Sequence, residues 1–186
     1  MNYIAYLGPE GTYTQKAAEH LQAQERLTGF RLLPLKSIDC VFDALNKHDA
    51  SYGVIPLENS IAGYYTETVK RLKSNEFDTI SSYNAHIKLA LGIYPNVNPK
   101  RIIKIKSKDT ALKECNRYLN KNYPRAKRIE CKSTAAAMQE IMRTKSRTTA
   151  SIGSEHGMNL YGLKILNYDI GDKKENYTTF ILIKLK

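Results

Sequence analysis

Short apolar runs that end in small polar residues and pass at once into amphipathic stretches recur along this chain, and no other feature restricts its fold so strongly. Tyr3-Ile4-Ala5-Tyr6-Leu7 leads through Gly8-Pro9-Glu10-Gly11-Thr12 to a helix expected over 16–24. A run at 32–35 leads to Ser37, an N-cap candidate for a helix bearing Val41, Phe42 and Leu45. The run 52–57 meets Glu58-Asn59-Ser60, and a helix is expected over 61–73 with Gly63 as its weak point. After a longer strand expected at 87–94, a second series begins. It places 102–105 before Ser107, 128–131 before Ser133-Thr134, and 150–152 before Gly153-Ser154. A run at 165–170, a charged turn at 172–175 and a strand at 179–185 close the chain. Such alternation specifies an α/β fold.

In open parallel sheets, ligands bind outside the carboxyl ends of the strands, which is where this chain sets its small polar residues. Helix N-termini there offer unpaired N–H groups and partial positive charge, so several converging make a site for carboxylates or phosphates. Each Ser or Thr taken singly is also accounted for as an N-cap worth about 1 kcal/mol.

At 186 residues the chain suits one domain or two small lobes. Hydrophobic residues make up 42% and charged residues 25%, and no apolar run approaches the roughly 18 needed to cross a bilayer, which excludes disordered and membrane-spanning classes. MNYIAYLGPEG lacks a basic segment followed by an apolar one, so no secretory signal is read and a cytoplasmic location is expected. Cys40, Cys115 and Cys131 form no C-x-x-C pair and are expected to be buried thiols. The formal charge of +11 is concentrated: residues 100–147 hold 15 basic and 4 acidic side chains, the remainder being balanced. That block fits a solvated face or an anionic small molecule. With no zinc-finger spacing, RNP-like aromatic run or separate helix-turn-helix segment, nucleic acid is not expected as a partner. Dinucleotide and P-loop glycine spacings are absent too. The four histidines, His20, His48, His86 and His156, show no metal-ligand spacing, so neither metal nor cofactor is expected.

Taken together, several segments resemble the catalytic domain of prephenate dehydratases. They are Gly8-Pro9-Glu10-Gly11-Thr12-Tyr13-Thr14 with Ala17-Ala18, and Gly53-Val54-Ile55-Pro56-Leu57-Glu58-Asn59-Ser60 with Gly63. His86-Ile87-Lys88-Leu89, Ser107 with Ala111-Leu112 and Cys115, and Ser133-Thr134-Ala135-Ala136-Ala137 continue the match. Ala150-Ser151-Ile152-Gly153-Ser154, Tyr161-Gly162-Leu163 and Asn176-Tyr177-Thr178-Thr179-Phe180 complete it in order. The resemblance implies two periplasmic-binding-protein-like lobes joined by crossing strands, about 1–82 plus 166–186 and 83–165, with substrate in the interlobe cleft. It implies conversion of prephenate to phenylpyruvate with loss of carbon dioxide and hydroxide, and a homodimer. Because the sequence stops at Lys186, the C-terminal ACT regulatory domain that many members carry is expected to be missing.

Carried over residue by residue, the resemblance gives Thr178 the departing hydroxide, and Glu58 and Asn59 the orientation of the ring hydroxyl. Thr12, Ser60, Ser107, Ser133, Thr134, Asn176 and Phe180 are expected to bind the dicarboxylate substrate. Two positions depart from the family pattern. Its closing Asn-x-Thr-Arg-Phe has Thr179 for arginine, and the glutamine before Cys115 is Glu114. Lys106, Lys108 and Lys132 are the cations expected to make good the lost guanidinium. Competing functions are a non-aromatising prephenate decarboxylase, a diverged paralogue acting on a close analogue, and a non-catalytic small-molecule-binding homologue.

Overall fold

Residues buried on both sides of a strand read as continuous apolar runs, and Ile4, Ala5 and Tyr6 show why: all three are at most 1% exposed, in a strand flanked by two others. The computed structural model describes residues 2–186 and divides into two units, residues 1–87 with 175–186, and 88–174.

Unit 1 contains β1 (Tyr3–Leu7), α1 (Tyr13–Gln24), β2 (Arg31–Leu35), α2 (Ile38–Asn46), β3 (Tyr52–Asn59), β4 (Gly63–Tyr64), α3 (Thr66–Leu72) and β5 (Phe77–His86). The final strand of the chain, Tyr177–Leu185, also lies in this sheet, whose order is β2-β1-β3-final strand-β5, with β4 paired to β3. β1 runs parallel to β2 and β3, while the final strand is antiparallel to both its neighbours. One face packs Ala17, Ala18 and Leu21 of α1 on Ile4, Val54, Phe180 and Leu182. The other packs Val41, Phe42 and Leu45 of α2 on Ala5, Ile55, Ile181 and Ile183. Ser37 caps α2, its hydroxyl accepting from the Cys40 N–H.

Unit 2 contains β6 (Leu89–Ile93), β7 (Lys104–Ser107), α4 (Asp109–Glu114), α5 (Asn116–Asn122), β8 (Lys127–Glu130), α6 (Thr134–Thr144), β9 (Thr149–Ser154), α7 (Glu155–Tyr161) and β10 (Lys164–Asn167). Tyr177–Leu185 is accordingly β11. The order is β10-β6-β9-β7-β8, with β7 parallel to β8 and β9 and the β6 pairings antiparallel. Both sheets are mixed rather than purely parallel.

Several local expectations are corrected. The helix expected over 61–73 is confined to Thr66–Leu72. The Asn59 side-chain oxygen takes the Ile61 and Ala62 N–H groups, and Gly63 adopts φ +80, which a helix does not accommodate. The helix expected from residue 16 begins at Tyr13, because Thr12 caps it through the Gln15 N–H. The expected strand at 87–94 is confined to β6, Leu89–Ile93, and β5 ends just before it at His86. Most of β5 was not anticipated, since its exposed side carries Asp78, Ser82, Asn84 and His86. Pairing along β11 holds β5 wholly in unit 1, and β10 pairs with β6 in unit 2, so the unit edges fall at 87/88 and 174/175.

Cys115 is fully buried in the unit 2 core with Ile105, Leu119 and Ile152. Burial first, then the charges of Glu114 and Asp172, push its thiol up to about 12 from an ordinary 9.0. An unfolded chain releases this proton earlier, so the stabilisation is complete below pH ~9 and is lost as pH rises towards 12, with a slope of up to about 1.4 kcal/mol per pH unit. Cys115→Ala is expected to flatten this alkaline limb in urea melts compared at about pH 8 and about pH 11. An unchanged slope in the variant would remove the assignment to Cys115.

Candidate active site

The register of β11 on β3 decides which side chains meet. Leu182 pairs with Val54, Ile181 with Ile55 and Phe180 with Pro56, after which Thr179 pairs with Glu58 and Thr178 with Asn59. Leu57 is passed over, a one-residue bulge in β3. Directly paired residues share a face and successive residues alternate. Thr178 therefore lies on the face of Phe180 and Leu182, and Thr179 on that of Ile181 and Ile183. Without the bulge Glu58 would stand opposite Thr178. With it Asn59 stands there, and Glu58 goes to the other face with Thr179.

β3 and β5 run in the same direction as β1, so their carboxyl ends share one end of the sheet with the start of β11. Thr12, Asn59, Asn176 and Thr178 are set at this end. Asn59 is 6% exposed, Asn176 3% and Thr178 4%. Asn59 Oδ1 accepts from the Ile61 and Ala62 N–H groups at 3.0 and 2.9 Å. That fixes the amide orientation, because two N–H donors require an oxygen. Asn59 Nδ2 donates to Thr178 Oγ1 at 2.9 Å, Asn176 Oδ1 at 2.8 Å and the Tyr177 carbonyl at 3.1 Å. Since Thr178 Oγ1 accepts from Asn59, its own hydrogen is directed elsewhere, and the donated bond polarises the hydroxyl towards giving that hydrogen up. The arrangement is a buried, neutral hydroxyl whose oxygen is held by Asn59 and whose hydrogen is directed away from that amide.

The other expected residues divide. Ser60 pins β3 to β11: its N–H donates to the Tyr177 carbonyl at 2.8 Å and its Oγ accepts from the Tyr177 N–H at 2.9 Å. Glu58 and Asn59 close β3 and Ser60 follows in a turn, correcting the expectation that the three open a helix. Phe180 is 3% exposed and packs in the α1-side core, so its ring is a packing element rather than a substrate contact. Thr12 caps α1, its hydroxyl accepting from the Gln15 N–H at 3.3 Å, and Gln15 Oε1 in turn accepts from the Gly11 N–H at 2.6 Å.

In unit 2, Ser107 is fully buried inside β7, and its hydroxyl donates to the Ile152 carbonyl at 2.8 Å, tying β7 to β9. It therefore caps no helix. Ser133 does, accepting from the Ala136 N–H at 3.0 Å and leaving Thr134 at the first position of α6. Lys106 forms an ion pair with Glu140 at 2.6 Å and is committed to it. Lys108 and Lys132 are exposed and follow the carboxyl ends of β7 and β8, beside Ser107 and Ser133. Glu114 closes α4, at the opposite end of that helix from Ser107. Among the described residues no group of three or more His, Cys, Asp or Glu gathers as metal ligands, and no helix is long and apolar enough to cross a membrane.

Sequence reasoning missed one pair at this end of unit 1. The rings of His86 and Tyr177 stack at 4.7 Å and 18°. Their register becomes visible only once β5 is placed beside β11. The charge of Glu175 raises the Tyr177 hydroxyl above its ordinary pKa.

Residues 4–186 match the family described as prephenate dehydratase. A bifunctional chorismate mutase/prephenate dehydratase of Buchnera aphidicola subsp. Schizaphis graminum is 32% identical over 183 residues, covering 98% of this chain and 47% of its own length. The chain thus spans about half the length of the curated relatives it matches. A crystal structure of prephenate dehydratase in complex with L-Phe from Arthrobacter aurescens superposes with a TM-score of 0.88 at 25% identity, over 100% of this chain and 61% of that one. An ABC transporter periplasmic substrate-binding protein from Coxiella burnetii gives 0.52 at 10% identity, over 100% of this chain and 84% of that one. This second likeness is one of fold, and it marks the α/β architecture as periplasmic-binding-protein-like.

Proposed function

The chain belongs to the prephenate dehydratase family, and from that premise we propose that it converts prephenate to phenylpyruvate. The observation that carries the reading is the 2.9 Å bond from Asn59 Nδ2 to Thr178 Oγ1, which leaves the Thr178 hydrogen as the donor. As the C–CO2 bond breaks, its electron pair enters the ring and expels hydroxide from the opposite ring carbon. The Thr178 O–H hydrogen-bonds to that oxygen as its charge develops, lowering the barrier to C–O cleavage. Carbon dioxide, water and the aromatic ring account for all atoms once the proton lent by Thr178 is returned from solvent.

Prephenate carries two carboxylates. We assign one to the amino terminus of α6, with Ser133, Thr134 and the cations Lys108 and Lys132, because that end offers N–H groups, the helix dipole and two exposed lysines. Lys108→Ala with Lys132→Ala is expected to raise KM about tenfold with kcat nearly unchanged, and to abolish most of the dependence of KM on ionic strength. An unaltered KM would transfer the carboxylate to other groups.

The direct test is incubation with prephenate followed by mass spectrometry and absorbance in alkali. Phenylpyruvate, which absorbs as its enolate, is expected. A non-aromatic decarboxylated acid would establish the decarboxylase instead, and binding without product would establish a binding homologue. The same reading carries a cytoplasmic location and a homodimer, to be checked by cell fractionation and light scattering.

A further inference from the structure

Unit 2 holds 19 Lys and Arg against 7 Asp and Glu, whereas unit 1 is nearly balanced at 10 against 11. The acids of unit 2 are engaged or placed elsewhere. Asp109 pairs with Lys113, Glu140 with Lys106 and Asp169 with Lys174, and Asp172 accepts the Arg117 and Tyr118 N–H groups. Glu114 closes α4, Glu130 ends β8 opposite Ser107, and Glu155 follows the end of β9. Glu130 and Glu155 therefore lie away from the amino-terminal starts of β7, β8 and β9.

Those starts form a cationic face. Lys104 and Lys127 are directly paired across β7 and β8, where strands are about 4.8 Å apart and like charges oppose each other at a cost. Arg125 lies two residues before Lys127, and Arg147 two residues before Thr149, the β9 partner of Lys104. Arg101 ends the short turn before β7. All five side chains are exposed, and among the described residues no carboxylate forms an ion pair with any of them. In their midst is Ile103, 57% exposed. Its N–H donates to the Thr148 carbonyl and its carbonyl accepts from the Lys127 N–H, both at 2.9 Å, so it sits on the line joining the three strand starts.

We infer that this face docks an acidic protein surface with an apolar centre. An anionic partner relieves the Lys104–Lys127 repulsion and covers Ile103, reproducing the apolar centre and charged rim of a protein interface. A second copy of this chain does not supply that surface, because neither unit carries an acidic excess of the required size. Nucleic acid fits less well, since Ile103 offers no π-face on which a base stacks. The face is formed by the strand ends opposite those bearing Ser107, Lys108 and Ser133, so it is separate from the residues proposed to hold a substrate carboxylate.

The test is fluorescence anisotropy at physiological ionic strength with three labelled probes of equal charge: a peptide of glutamate and leucine, a polyglutamate peptide, and an RNA strand. The glutamate–leucine peptide is expected to bind tightest. Lys104→Glu with Lys127→Glu is expected to weaken it about tenfold or more, while Ile103→Ser weakens it severalfold and leaves polyglutamate unaffected. Prephenate turnover is expected to be unchanged in both variants. Lys104→Glu alone sets opposite charges across the strands and is expected to preserve or raise Tm, which separates lost binding from lost folding. Tighter binding of RNA, indifference of the mixed peptide to Ile103→Ser, or undiminished binding after charge reversal would each overturn the proposal.

Discussion

Thr178→Val lowers kcat by about a hundred- to a thousandfold, the expected result of removing one oriented donor to a leaving oxygen, while KM moves little. Valine keeps the branched shape, so no cavity opens in a position that is 4% exposed. The loss to folding is small for a second reason. Asn59 Nδ2 has two hydrogens and three acceptors, and without Thr178 Oγ1 it still reaches Asn176 Oδ1 and the Tyr177 carbonyl. The stability change is expected at about 1 kcal/mol, read from urea melts. Thr178→Ser, which retains the oxygen, is expected to recover most of the rate. A valine variant turning over within a few-fold of the parent would eliminate this hydroxyl from the chemistry, and a serine variant as slow as valine would show that the loss came from packing.

Asn59→Asp has the larger combined effect, because the two side chains differ only in the group facing Thr178. One aspartate oxygen still accepts the Ile61 and Ala62 N–H groups. The other meets Thr178 Oγ1, Asn176 Oδ1 and the Tyr177 carbonyl, which all accept from asparagine. A buried carboxylate among acceptors is expected to cost about 3 kcal/mol or more. The Thr178 hydrogen turns towards it and is withdrawn from the substrate, so kcat falls about as far as in Thr178→Val. The double variant is expected to be scarcely slower than either single one, since both remove the same donor. Burial among acceptors raises the pKa of the new carboxyl in the folded state. Its neutral form is thus favoured by folding, and the variant is expected to regain stability as pH falls and lose it as pH rises, as urea melts across the acidic range will show. Additive rate losses, or a variant as stable as the parent at neutral pH, would dissolve the proposed coupling between residues 59 and 178.

The α/β class and the order of most elements were legible because apolar runs and caps are local signals: Ser37, Ser133 and Ser154 each cap the helix expected of them. Two kinds of information were not local. β5 has one face open to solvent, so its polar residues masked it as loop, and only β11 shows where it belongs. The partnership of Asn59 with Thr178 spans 119 positions and depends on a passed-over Leu57, which no periodicity records. Ser107 looked like Ser133 in sequence, yet one hydroxyl ties two strands together and the other caps a helix. Thr179 gains a different meaning from the same pairing. An arginine at that position would stand directly opposite Glu58, on the face away from Thr178. Its absence therefore bears first on Glu58, and only indirectly on the donor hydroxyl.

The unpaired Leu57 also matters for comparing this chain with its relatives. Aligning another sequence here with one gap too many or too few exchanges acid for amide beneath the threonine, although the percentage identity scarcely alters. Homologues are therefore best matched backwards from the Asn-x-Thr segment across the strand pair, letting geometry rather than similarity choose where the extra residue falls.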